Sequence, residues 1–378
     1  MFSRRHLMGA ALCAPLLSTL ASWPALAATS ANSDTSADMP RFIAALPKSE
    51  FHVHLEGTLE AEMKFALARR NGLTLPYADV AAMKKSYIYH DLASFLAIYY
   101  EGNSVLLKEQ DFYDLCYAYL KKAASQNVLY AEMFFDPQSH TSRGIAIDVV
   151  IHGIARAQAD AQRQLGIKSQ LILCFMRDLS AESAMETLEA ALPFKQYLVG
   201  VGLDSDEKDN PPTKFAAAFA RARAAGLKVT VHCDLNQKDI HDHLRQAIEE
   251  IQVDRIDHGG NILESPELMA AAKKKNLFFT VCPTFSGTVR NGGPPVDVVR
   301  GMLDNGMNLN INSDDPAYMG SEYITEVLIK AQAQSKLTKA ELVRIERNGF
   351  NSAWIDTARR DRFIRKLDAF ASAWRVET

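Results

Sequence analysis

The distribution of hydrophobic and polar positions predicts eight short β-strands that alternate with helices along the chain. Several of the strand segments are nearly continuous apolar runs, which is typical of strands buried on both faces of a parallel sheet. The predicted strands are residues 51–55, 128–135, 170–176, 198–203, 228–232, 255–258, 277–282 and 308–312. Eight strands in alternation with helices predict an α/β chain folded as a single (β/α)8 TIM-type barrel.

The connection between the first two predicted strands is unusually long and predominantly helical in character. Its helical segments are residues 60–70, 92–100 and 111–125. They predict an insertion after strand 1 that covers the mouth of the barrel as a lid. Two later segments, 322–333 and 339–357, predict C-terminal helices that pack outside the barrel, and no second domain is expected.

The N-terminal residues predict a signal peptide. Arg4 and Arg5 precede an apolar run that is too short to span a membrane, and Ala25-Leu26-Ala27 is a small-x-small cleavage site. The paired arginines favour a twin-arginine signal, although a general secretory signal is the alternative. Export by the twin-arginine machinery to the periplasm or the medium is expected, with no membrane attachment after cleavage.

These features predict three regions in the chain. Residues 1–27 are the signal peptide, residues 28–40 are a polar, flexible linker, and residues 41–378 are the barrel. Hydrophobic residues make up 48% of the chain and charged residues 23%, which is typical of a globular enzyme. The net charge of −3, without a basic cluster, argues against a nucleic-acid partner. No C-x-x-C spacing exists, so we expect free thiols rather than a zinc knuckle.

Histidine and aspartate residues recur at the ends of the predicted strands. In a strand, His52 and His54 point to the same side, which suits a divalent metal, although two ordinary polar strand residues would give the same pattern. His232, His258 and Asp314 end the fifth, sixth and eighth strands. Because catalytic residues of a barrel collect at the C-terminal strand ends, these side chains predict one metal centre with room for a water molecule.

The order of these motifs resembles the adenosine/adenine deaminase family of the amidohydrolase superfamily, from about residue 46 to residue 353. The resemblance rests on residues 52–57, 134–140, 201–205, 255–259, 281–283 and 313–318. It implies metal ligation by His52, His54, His232 and Asp314, with zinc as the expected ion and iron or manganese as alternatives. It further implies that His258 positions the attacking hydroxide.

The resemblance also implies substrate contacts. Asp315 would hydrogen-bond a purine near N7, and the loop at Asp204 and Ser205 would touch its N3 side. Glu56 stands where nucleoside deaminases usually carry aspartate, so the sequence is more similar to the adenine branch. Its longer side chain would fill the space of a ribose, or it would instead be a partner for a histidine.

One departure from the family pattern concerns the general acid. The family normally has glutamate three residues after the third histidine, and here that residue is Leu235. Asp234 lies two residues after His232, so an extended chain would point both the same way. We predict that Asp234 replaces the acid, with Glu207 as the alternative. If neither does so, Asp234 is only a loop carboxylate and the reaction or substrate differs.

These residues predict a metal-dependent hydrolytic deaminase of a small purine-like substrate, adenine first. Deamination of an N6-substituted adenine, another aminopurine or a pterin is the alternative that follows from the altered loop. A second alternative is an impaired, metal-containing protein that binds purines without turnover.

Overall fold

The computed structural model describes residues 38–283, 288–289 and 296–377. The predicted signal peptide therefore lies outside the described residues and stays a prediction, as does most of the predicted linker. The last two linker positions differ from the prediction, because Met39 and Pro40 begin helix α1 (Met39–Ala45). Proline is tolerated in a first helical turn, where the backbone N–H has no partner within the helix. Within the described residues, no helix is long and apolar enough to cross a membrane.

Eight parallel strands follow one another around a barrel, in chain order. They are β1 (Lys48–Glu50), β2 (Val128–Phe135), β3 (Lys168–Met176), β4 (Leu198–Asp204), β5 (Lys228–Cys233), β6 (Arg255–His258), β7 (Phe278–Val281) and β10 (Asn308–Ile311). The strands β8 (Thr288–Val289) and β9 (Val296–Asp297) form a separate antiparallel pair. The predicted barrel is thus confirmed.

The first strand differs from its prediction, since β1 ends before the paired histidines. The backbone N–H groups of Phe51 and His52 donate to the side chain of Asn312, at 2.8 and 3.2 Å, instead of to a neighbouring strand. Pairing then resumes at single positions, Val53 with Asp314 and His54 with Phe134. These isolated bridges hold the histidine segment between the second and last strands of the barrel.

Helices surround the barrel, and the long insertion after β1 is helical as predicted. It comprises α2 (Ala61–Asn71), α3 (Val80–Ser86), α4 (Leu92–Gly102) and α5 (Glu109–Ser125). The later helices are α6 (Pro137–Thr141), α7 (Ile147–Leu165), α8 (Ala181–Ala191), α9 (Ala216–Ala224), α10 (Ile240–Arg245), α11 (Pro266–Lys274), α12 (Val298–Asp304), α13 (Ile324–Ser335), α14 (Lys339–Ser352) and α15 (Thr357–Ala373). Residues of α4 face the C-terminal ends of the strands across a cavity. The described cysteines are free and buried, namely Cys116, Cys174, Cys233 and Cys282.

Candidate active site

Three imidazoles and one carboxylate converge at the C-terminal rim of the barrel. The Nε2 atom of His232 lies 3.1 Å from Nε2 of His52 and 3.1 Å from Nε2 of His54. Oδ1 of Asp314 lies 3.3 Å from Nε2 of His52 and 3.6 Å from Nε2 of His54. Ligands about 2.1 Å from one ion lie roughly 3–3.5 Å apart, so these four donors fit a single divalent cation.

The opposite nitrogens of the three imidazoles face protein acceptors. Nδ1 of His52 lies 3.0 Å from the Thr280 hydroxyl, and Nδ1 of His232 lies 3.0 Å from the carbonyl oxygen of Leu203. Nδ1–H donation to an oxygen leaves the Nε2 lone pair free for a metal. Burial also lowers the pKa of His54 to about 4 and that of His232 well below its usual value. His54 and His232 are therefore neutral, as metal ligation requires.

His258 stands beside this cluster and contacts two carboxylates. Its Nε2 atom lies 3.1 Å from Oδ1 of Asp234 and 3.8 Å from Oδ2 of Asp314. Burial would lower its pKa, but the hydrogen bond to Asp234 and the charge of Asp314 outweigh burial and raise the pKa to about 9. Cys282, which the sequence analysis assigned no role, also offers a buried sulfur near His52, His258 and Asp314.

The loop after β5 brings Asp234 and Leu235 to the cavity, as the sequence suggested. Both residues line it, and the Asp234 side chain is partly exposed to its interior. A Cβ atom on Gly260 would lie only 2.5 Å from Cδ2 of Leu235, so the absence of a side chain there admits the leucine. Asp234 is consequently the carboxyl group of this loop that faces the cavity.

Glu207 does not reach the cavity. Its Oε2 accepts from the backbone N–H of Asp234 at 2.7 Å, and its Oε1 lies 2.6 Å from Nδ1 of His243. The side chain is completely buried, and Arg177 lies 3.4 Å away. The alternative that Glu207 donates a proton to the substrate is therefore wrong, because protein donors occupy both of its oxygens. Glu207 instead holds the backbone of Asp234.

Glu56 was predicted to contact the substrate, and the structure does not place it in the cavity wall. Its Oε1 lies 2.8 Å from Nε2 of His140 and accepts from the backbone N–H of Asp136 at 3.2 Å. The alternative role as a partner for a histidine fits this position. The prediction failed because Glu56 begins a 3-10 turn, Glu56–Thr58. The turn ends the extended segment of His52 and His54, so the Glu56 side chain does not continue in the direction of the histidines.

The cavity measures about 310 Å³ and lies between the strand ends and the insertion. Aromatic side chains from the insertion form one wall, and carboxyl groups dominate the other. The aromatic residues are Tyr89, Phe95, Tyr99 and Tyr100. The lining acids are Asp91, Asp136, Asp204, Asp234, Asp314 and Asp315. Among the lining residues that the structure describes, there is no lysine or arginine, which favours an uncharged or cationic ligand.

Burial raises the pKa values of several of these acids. Burial, followed by the charge of Glu56, raises the pKa of Asp136 to about 7. Burial and nearby carboxylates also raise the pKa values of Asp204 and Asp315 well above the usual range. The pKa of Asp314 is lowered instead, because the neighbouring histidines outweigh its burial. An ionised Asp314 is the form that binds a metal.

Four cavity residues have left-handed backbones, which non-glycine residues rarely adopt. Their φ angles are 73° at Ser205, 60° at Asn236, 59° at His258 and 64° at Asp314. Ser205 directly follows a barrel strand and His258 ends one, whereas Asn236 and Asp314 each lie three residues after a strand. Such strain persists where the surrounding structure fixes a functional side chain.

Comparisons with known proteins agree with this geometry. The family model described as adenosine deaminase matches residues 47–370. An uncharacterized deaminase of Schizosaccharomyces pombe is 56% identical over 337 residues, covering 89% of this chain and 99% of the relative. The adenine deaminase of Hahella chejuensis is 42% identical, covering 88% and 99%. The crystal structure of adenine deaminase from Arthrobacter aurescens has a TM-score of 0.82 at 36% identity, covering 87% and 100%.

Proposed function

This chain belongs to the adenosine deaminase family, and from that membership we propose that it catalyses the metal-dependent hydrolytic deamination of adenine. The relatives named adenine deaminase support this substrate, since they align over almost their whole length. The reaction consumes adenine and water and yields hypoxanthine and ammonia. The enzyme is accordingly a hydrolase that acts on a C–N bond of a cyclic amidine.

The observation that carries the proposal is the placement of His258 and Asp234 beside the four-donor cluster. His52, His54, His232 and Asp314 would hold the metal, and their three nitrogens and one oxygen favour zinc over cations that prefer oxygen ligands. A bound cation of this type lowers the pKa of a water molecule towards ~7.

The protein's own groups move one proton from water to the base. Because Asp314 would bind the metal, its charge would raise the pKa of His258 less. The neutral imidazole of His258 then takes the proton of the attacking water while the oxygen adds to C6 of the base. The contact of 3.1 Å passes that proton to Asp234, which gives it to ring nitrogen N1. The remaining proton of the added hydroxyl group moves to the amine, which leaves as ammonia. The oxygen then forms the C6 carbonyl of hypoxanthine. Asp234 thereby supplies the acid that Leu235 cannot.

Ammonia release from adenine by the purified, zinc-loaded protein tests the proposal. We expect turnover of adenine to exceed that of N6-methyladenine, 2,6-diaminopurine and pterin, which are assayed in parallel. Faster turnover of one of those compounds would reassign the substrate within the same chemistry. Tight binding of these heterocycles without ammonia release from any of them would contradict the enzyme and support the purine-binding protein.

A further inference from the structure

One lysine is buried inside the helical insertion, away from the metal ligands. Lys64 on α2 is only 3% exposed. Its Nζ donates to the hydroxyl oxygens of Tyr87 at 2.9 Å and Tyr318 at 2.8 Å, and it lies 4.1 Å from the ring centre of Tyr318. Burial lowers the pKa of Lys64 to about 7, although the charges of Glu101 and Glu60 oppose this effect. Burying an amine against two neutral phenols is costly, so a lysine at this place indicates a specific role.

The end of α4 is shaped to fit this lysine. A Cβ atom on Gly102, the last residue of α4, would lie 2.7 Å from Nζ of Lys64 and would overlap the hydroxyl oxygen of Tyr318. Carbon atoms do not approach nitrogen or oxygen so closely, and Lys64 and Tyr318 are both buried, so they have little room to move. Glycine therefore allows the backbone of α4 to lie directly on the contact between Lys64 and Tyr318. The position of this helix depends on the pair beneath it.

Tyr318 connects the lysine to both walls of the catalytic cavity. Its hydroxyl accepts from Lys64 and donates its own proton to the carbonyl oxygen of Tyr99 on α4, at 3.3 Å. Its backbone N–H donates to the carbonyl oxygen of Asp315 at 3.0 Å. Tyr99 belongs to the aromatic wall, and Asp315 follows the ligand Asp314 on the acidic wall. Lys64 itself is not a lining residue of the cavity, so any effect on the substrate passes through these neighbours.

We propose that Lys64 is a positioning residue that fixes the spacing between the aromatic wall of α4 and Asp315, and thereby determines how tightly the substrate binds. The inference rests on the proposed function and adds a residue that does not touch the reacting atoms. Without the amine, the two phenol oxygens lose their donor and α4 loses its support at Gly102. A flat heterocycle held between the two walls would then bind more weakly in the ground state and the transition state alike. His258 and Asp234 lie on other loops, so the groups that transfer protons stay in place.

The variant Lys64→Met tests this role, because methionine keeps most of the length of the side chain and removes the donor. We expect the KM of the zinc-loaded enzyme for adenine to rise about tenfold or more, with kcat changed less than about threefold. Zinc should stay at one ion per chain. Lys85→Met, at an exposed position on α3, is the matched control and should leave both constants unchanged. An unchanged KM in Lys64→Met would overturn the inference. A fall in kcat together with loss of zinc would assign Lys64 a structural role and would also overturn it.

A double-mutant cycle tests whether Lys64 acts through Tyr318. Tyr318→Phe removes one oxygen and should by itself raise KM about fivefold or more. Because both substitutions break the same contact, the double variant should have a KM within about twofold of that of Lys64→Met. Effects on KM that multiply would overturn the route through Tyr318. If Lys64→Met does not fold, Tyr318→Phe decides alone, and a normal KM in this variant would overturn the inference.

Failure of the proposed function is distinguished by a measurement that needs no substrate. In the zinc-loaded protein, Lys64→Met should speed hydrogen exchange of the backbone amides of α4 at least about tenfold, because that helix loses buried contacts. Amides of the barrel strands should exchange at normal rates. This result supports the positioning role whatever reaction the enzyme performs. Exchange in α4 that is unchanged, or that rises equally in the strands, would overturn it.

Discussion

The Nε2 atom of His258 and the Oδ1 atom of Asp234 lie 3.1 Å apart at the rim of the barrel. This contact joins the residue that receives a proton from water to the carboxyl group that faces the cavity. In the family pattern, a glutamate at the position of Leu235 would be the proton donor. The contact shows how the carboxyl group can be supplied by residue 234 instead of residue 235 while the other site residues keep their positions.

Replacing Asp234 with asparagine should lower kcat by ~10² or more, the usual effect of losing a general acid or base. Asparagine preserves the size of the side chain but carries no proton between His258 and the base. Asp239→Asn, an exposed position in the same loop, is the matched control and should retain near-normal rates. Steady-state ammonia release measures both, and a normal kcat in Asp234→Asn would remove Asp234 from the mechanism.

Restoring the family residue should compensate for that loss. In the Asp234→Asn background, Leu235→Glu places a carboxyl group at the position where the family carries its glutamate. Because Leu235 already lines the cavity, we expect kcat to recover by about tenfold or more. Leu235→Gln in the same background has the same size without the acid and should not recover activity. Equal rates for the two double variants would show that an acid at residue 235 cannot act in this barrel.

Glu207 should affect the reaction through the position of Asp234. Its two oxygens accept from the backbone of Asp234 and contact His243, so the amide of Glu207→Gln directs N–H groups at one of these partners. We expect kcat to fall about 10- to 100-fold with bound metal unchanged, as for other residues that orient a site. Elemental analysis and melting curves accompany the kinetics. Loss of metal or gross unfolding in Glu207→Gln would mean a structural role instead.

Removal of the metal should abolish activity and lower the melting temperature. Ligand binding at 1,000 times its dissociation constant stabilises the folded state by about 4 kcal/mol, so the shift should be several degrees. Zinc titrated into the stripped protein should restore both at one ion per chain. His232→Ala should not bind the ion, whereas His152→Ala, an exposed histidine on α7, should bind it normally. Activity that survives complete chelation would contradict the metal requirement.

A pair outside the site should give a defined pH dependence of stability. Arg300 donates to both oxygens of Glu341 at 2.7 and 3.0 Å, and this hydrogen bonding is the main cause that lowers the pKa of Glu341 to about 2. Because the folded pKa lies below the usual value of 4.5, the stabilisation is present above pH ~4.5 and disappears as the pH falls through about 2.

Glu341→Gln should therefore lower the free energy of unfolding by about 1 kcal/mol at pH 6 to 7. The difference from the unmodified protein should decrease as the pH falls below ~4.5. Urea unfolding at several pH values measures this difference. Glu186→Gln, at an exposed position on α8, should change stability little at any of them. A Glu341→Gln difference that is the same at pH 3 and pH 7 would contradict the ion pair as its cause.

The sequence alone was sufficient for the barrel and for the convergence of the histidines. Apolar runs located the strands, and in a parallel barrel all C-terminal strand ends lie on one rim. Residues such as His232 and Asp314 could therefore be brought together without any knowledge of contacts. The absence of the glutamate at Leu235 was likewise visible in the sequence, since it depends only on residue identity.

The tertiary structure decided where the carboxyl groups beyond the strands point. Glu207 turns inward to the backbone of Asp234, Glu56 turns to His140, and Asp136 faces the cavity beside Asp204. No periodicity governs side-chain direction once a strand gives way to a turn, and each partner comes from a distant part of the chain. The sequence by itself therefore determined the fold and the candidate metal ligands, whereas packing between separate loops decided which acids can meet a substrate.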